Sequence, residues 1–90
     1  MQEKRAQLDK EDFATLWNIT RSWQVDPIKA SDGTPEDIER YNQIFLKLDK
    51  LGYIKIEMRD GEIYGAMAKE KGKKILDDEK FKDLVIELDL

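Results

Sequence analysis

Apolar positions recur at intervals of three and four along residues 10–23 and 35–51, then at every second position along 53–68. That pattern predicts two amphipathic helices followed by a hairpin. The first helix starts near Lys10: Asp9 can cap it, Lys10 to Asp12 form its first turn, and Leu8 can close onto Phe13 as a hydrophobic staple. Phe13, Leu16, Trp17, Thr20 and Trp23 share the side assigned to the core. The helix must end before Asp26-Pro27, because a residue preceding proline is pushed out of the helical region. Val25 to Gly33 is turn-like and leaves at most one helical turn in Pro27 to Ala30.

Thr34-Pro35-Glu36-Asp37 combines a capping hydroxyl, proline at the first helical position and two carboxylates near the positive end of the helix dipole. A helix from Pro35 to Leu51 follows, closed by Gly52 in a left-handed conformation. Ile38, Tyr41, Ile44, Phe45, Leu48 and Leu51 fall on one side, and Arg40, Gln43, Lys47 and Lys50 on the other. Downstream, Ile54, Ile56 and Met58 alternate with charged residues, and Asp60-Gly61 supplies a two-residue turn. That turn sets Arg59 opposite Glu62, Met58 opposite Ile63, Glu57 opposite Tyr64 and Ile54 opposite Met67, with the apolar partners on one face. Residues 69–76 read as a short helix weakened by Gly72. In residues 77–90, Phe81, Leu84, Val85 and Leu88 suit a dimerising helix, whereas Leu84, Ile86, Leu88 and Leu90 suit a strand; the helix is preferred.

Ninety residues with 40% hydrophobic and 40% charged positions suffice for one α+β domain over 1–90, with residues 1–8 expected to be flexible. No repeat or internal linker divides it. No apolar run approaches the length of a bilayer span, and Met1 to Arg5 leads into no signal-like segment, so a cytoplasmic location is expected. Without Cys or His, disulfides, thiolate chemistry and the commonest general base and metal ligand are excluded. Carboxylate runs such as Asp77-Asp78-Glu79 lack a paired nucleophile and base, and no glycine-rich phosphate loop is present. A non-enzyme without cofactor or metal is the expectation.

The run Tyr41 to Leu76 joins a helix ending in Leu51-Gly52-Tyr53-Ile54, a hairpin turning at Asp60-Gly61, and Lys69-Glu70-Lys71-Gly72-Lys73-Lys74-Ile75-Leu76. It resembles the second half of a winged helix-turn-helix domain: recognition helix, wing and closing helix. Thr34 to Asp37 leading into that Leu-Gly-Tyr-Ile helix end is similar to the YjcQ-like family of small winged-helix proteins from Gram-positive bacteria and their prophages, over roughly residues 8–78. The resemblance implies a winged-helix fold and a small regulator of transcription that binds double-stranded DNA. The chain departs from the pattern between residues 25 and 33, where Pro27 and Gly33 leave only a rudiment of the first helix of the pair.

Phosphate contact needs exposed cations. The candidates are Arg40, Gln43, Lys47 and Lys50 on the helix, Lys55 and Arg59 on the hairpin, and Lys73 and Lys74, with Lys69 and Lys71, in the closing segment. Charge is uneven: residues 1–46 carry a net −3, residues 47–75 a net +3 and residues 76–90 a net −4, giving the overall −4. The middle segment is therefore a basic island in an acidic chain. Against groove entry, the N-terminal turns of the helix hold Glu36, Asp37 and Glu39. Acids first and bases last also simply complement a helix dipole, and the other lysines suit solvent-facing surfaces. Two functions therefore stand side by side: a DNA-binding regulator acting as a homodimer, and a protein-interaction module that binds no nucleic acid.

Overall fold

The computed structural model describes residues 8–21 and 25–76. They form an α+β arrangement: α1 (Lys10–Arg21), the single turn α2 (Pro27–Ala30), α3 (Pro35–Lys50), the antiparallel strands β1 (Ile54–Arg59) and β2 (Glu62–Ala68), and α4 (Glu70–Leu76). Trp23 and residues 77–90, including the expected dimerising helix, lie outside the described residues, as do residues 1–7 of the segment expected to be flexible.

Local signals account for the helix ends. Asp9 Oδ1 accepts the Asp12 N–H at 2.9 Å, and Asp12 Oδ2 accepts the Asp9 N–H at 3.1 Å, a reciprocal capping box built from two aspartates. Leu8 and Phe13 on either side of it are both buried. Thr34 Oγ1 accepts the Asp37 N–H, and Gly52 at φ +87° ends the turn after α3. Asp26 caps α2 through Lys29 N at 2.8 Å, with Pro27 next.

The core joins Leu8 and Val25 with Phe13, Leu16 and Ile19 of α1, with Ile44, Phe45 and Leu48 of α3, and with Tyr53, Ile54, Ala66 and Leu76. On α1 the buried stripe runs through Ile19, which replaces Thr20 in the expected set; Trp17 is only half-buried, at its edge. Thr20 turns its hydroxyl back to the Trp17 carbonyl at 2.7 Å instead.

The hairpin register agrees with the expected one only at the turn. Arg59 pairs with Glu62 and Met58 with Ile63; a bulge then intervenes, so that Glu57 faces Gly65, Ile56 faces Ala66, Lys55 faces Met67 and Ile54 faces Ala68. The expected pairs Glu57 with Tyr64 and Ile54 with Met67 are therefore corrected by one residue. The extra residue, Tyr64, turns small Ala66 and Ala68 toward the core where strict alternation would have sent Gly65 and bulky Met67. Small side chains suit that position because α1 lies against β2. Nor do the apolar partners share one sheltered face, since Met58 is 53% and Met67 60% exposed.

α4 docks where its backbone meets the start of β1. Lys69 N donates to the Tyr53 carbonyl at 2.9 Å, and a Cβ on Gly72 would lie 2.3 Å from that same oxygen. Gly72, read from sequence as a weakness in the helix, is what allows this close approach.

Candidate functional site

The nominated cations divide into two groups. On α3, Arg40 and Lys47 sit at the border of the apolar side next to Ile44, and both turn toward the first turn of α1. Arg40 pairs with Asp37 through Nη2 at 2.7 Å and with Glu11 through Nη1. Lys47 Nζ lies 2.6 Å from Oδ2 of the buried Asp12. Of these two residues expected on the exposed side of the helix, Arg40 is exposed and Lys47 half-buried, and each also forms an ion pair from α3 to α1. Gln43 remains on the surface and donates to Glu39 Oε2 at 2.8 Å.

The loop before α3 is ordered around Asp37. Its Oδ2 accepts the Asp32 N–H at 2.8 Å, and its Oδ1 accepts both Nε and Nη2 of Arg40. The Asp32 backbone bond first, and then the Arg40 side chain, hold the Asp37 carboxyl below the ordinary carboxylate range. The same contacts, with Asp37 leading and Glu11 second, push the Arg40 guanidinium above its usual value. At this end of α3 Arg40 is thus shared between two carboxylates, with Glu36 and Glu39 exposed beside them.

The second group gathers at the opposite end of α3. Lys50 closes that helix, Lys55 lies on β1, and Lys69, Lys71, Lys73 and Lys74 belong to or border α4. The two stretches are fastened together: Lys71 Nζ donates to the Leu51 carbonyl at 2.8 Å and lies over the Tyr53 ring. Residues 50–55 and 69–74 hold six lysines and one acid, Glu70. Lys50, Lys55, Lys69, Lys73 and Lys74 are all exposed and make no ion pair among the described residues. Arg59 stands apart on the distal hairpin, with its guanidinium 4.1 Å from the centroid of Tyr64.

A groove that the sequence did not reveal runs between α2, α3 and the distal hairpin, with a volume of about 470 Å³. Its walls include Ile28, Ile38, Leu46, Met58 and Ile63, and its charged lining is Glu39 and Glu62. The signal available in sequence was Leu46, an apolar residue outside the core stripe of α3. Among the described residues no group of three or more acids could hold a metal ion, and no helix is long and apolar enough to cross a membrane.

Compared with protein-family models, with curated proteins and with solved structures, the chain has no significant match.

Proposed function

We propose that the chain is a small winged-helix protein that binds double-stranded DNA without catalysing a reaction, in keeping with a regulatory role, and that it meets phosphates through its lysine-rich end. The observation that carries this reading is that Lys50, Lys55, Lys69, Lys71, Lys73 and Lys74 lie on two stretches fastened together by Lys71 on the Leu51 carbonyl and the Lys69 N–H on the Tyr53 carbonyl, with Glu70 as the one acid in them. Two further features favour this end over the usual groove-facing turns of a recognition helix. Glu36, Asp37 and Glu39 would meet phosphate with like charge, and Arg40 and Lys47 are already engaged by α1. Contacts of this kind address the DNA backbone and carry little sequence information.

The test is anisotropy of a short labelled duplex titrated with protein over a series of salt concentrations. Neutralising about five phosphates predicts a log–log salt slope of about −4 to −5. Changing Lys50, Lys55, Lys73 and Lys74 together to alanine abolishes binding, while Gln43→Ala leaves it unchanged. Absence of binding at low salt overturns the proposal. The alternative, a scaffold that meets a protein, is favoured by a separate observation: the apolar groove on the far side of α3.

A further inference from the structure

Among the described residues, five large apolar side chains are strongly exposed: Ile28, Leu46, Met58, Tyr64 and Met67. Three of them, Ile28, Leu46 and Met58, line the one groove between α2, α3 and the distal hairpin. A small domain rarely leaves such a group uncovered without a partner for it. The charged side chains in the lining are both acidic, Glu39 and Glu62, so an occupant should be apolar with basic neighbours.

The chain carries that complement on another surface. Met67, 60% exposed, lies on β2 directly opposite Lys55 in the register and two residues from Lys69. It alternates with Ala66 and Ala68, which face the core, and so stands on the opposite side of the ribbon from Ile54 and Ile56. We infer that a second copy of the chain occupies the groove, inserting Met67 beside Leu46 and Met58 and bringing Lys55 and Lys69 next to Glu39 and Glu62. Two other arrangements fit less well. Two grooves brought face to face would oppose carboxylates, and residues 77–90, with six acids and two lysines, share the sign of the groove.

Met58, in the groove, lies on the ribbon face of Ile54 and Ile56 and Met67 on the opposite face, so one two-fold contact does not seat both knobs and the contact is heterologous: each copy that donates Met67 still offers an empty groove to the next. Such a contact propagates into a ring or a filament rather than stopping at a pair. The inference does not rest on nucleic-acid binding and is tested without nucleic acid.

Sedimentation velocity of the full chain over a concentration series is the experiment. The expected result is a sedimentation coefficient that rises with concentration beyond that of a dimer, and rises less at high salt. Met67→Glu and Leu46→Glu each give a monomer, and mixing the two yields a one-to-one heterodimer that grows no further, because one intact groove meets one intact knob. Both positions are exposed, so circular dichroism should show each variant folded; Met67→Ser and Leu46→Ser replace any variant that is not. A wild-type chain still monomeric at about 1 mM overturns the inference. So does a dimer that is insensitive to Met67→Glu or Met67→Ser, or a mixture that fails to associate.

Discussion

Lys47 and Asp12, on different helices and 35 positions apart, meet with the ammonium 2.6 Å from a carboxylate whose side chain is 3% exposed. Asp12 also completes the cap of α1, so one carboxylate serves both a helix end and a helix–helix joint. Lys47→Ala leaves it with the Asp9 N–H as its remaining partner among the described residues. A loss of about 1–3 kcal/mol is expected, toward the lower end because the lysine is partly exposed and water can replace it. Urea denaturation measures it, and an unchanged midpoint would show the pair to be inert.

Gly72 and Gly65 make a matched pair of tests. A methyl group at Gly72 would lie 2.3 Å from the Tyr53 carbonyl oxygen, which is backbone and cannot step aside, whereas one at Gly65 meets nothing within 4 Å. Gly72→Ala is expected to cost about 2–4 kcal/mol, since α4 must leave its seat on the start of β1. Gly65→Ala should stay within about 0.5 kcal/mol of the parent protein. Thermal melts of the two variants, compared directly, decide between this account and a simple difference in helix propensity.

Asp37 predicts part of the acid response. Its carboxyl titrates below the ordinary range in the folded chain, because of the Asp32 N–H and Arg40. The stability linked to it is complete above the unfolded value of about 4 and is lost as pH falls through the lower folded value. Asp37→Asn should therefore flatten the fall of melting temperature below about pH 4. Parallel curves for the variant and the parent would show that the network contributes nothing to folding.

The lysine-rich end is followed directly in the chain by the acidic residues 77–90, so under the proposed DNA binding these acids compete with phosphate for the lysines. Replacing the six acids of that segment with amides should raise duplex affinity on the order of tenfold at low salt, with the gain shrinking as salt increases. Anisotropy titration of both proteins checks this, and equal affinities would remove any electrostatic role for the segment.

Which features could be read in advance followed from their range. The starts of α1 and α3 were legible because every partner lies within five positions: Leu8 with Phe13, Asp9 with Asp12, Thr34 with Asp37. The two-residue turn at Asp60-Gly61 was equally local, and both residues have positive φ. The bulge at Tyr64 was not legible, because the choice of Ala66 over Met67 as the inward residue depends on α1 lying against β2. The fate of Arg40 and Lys47 was hidden for the same reason: a helical wheel places them near the stripe edge but cannot show Glu11 and Asp12 waiting across it. The groove depended on Ile28 and Leu46, single apolar residues without period, which gain meaning only when α2, α3 and the hairpin surround one space.

The bulge divides the β-ribbon into two mechanical parts. Ile54, Ile56, Ala66 and Ala68 root it in the interior, and beyond the bulge Ile63 still packs against the core while Met58 and the Asp60-Gly61 turn stand in solvent. A ligand or neighbour that grips Met58 therefore pulls on its cross-strand partner Ile63 and, through it, on the interior.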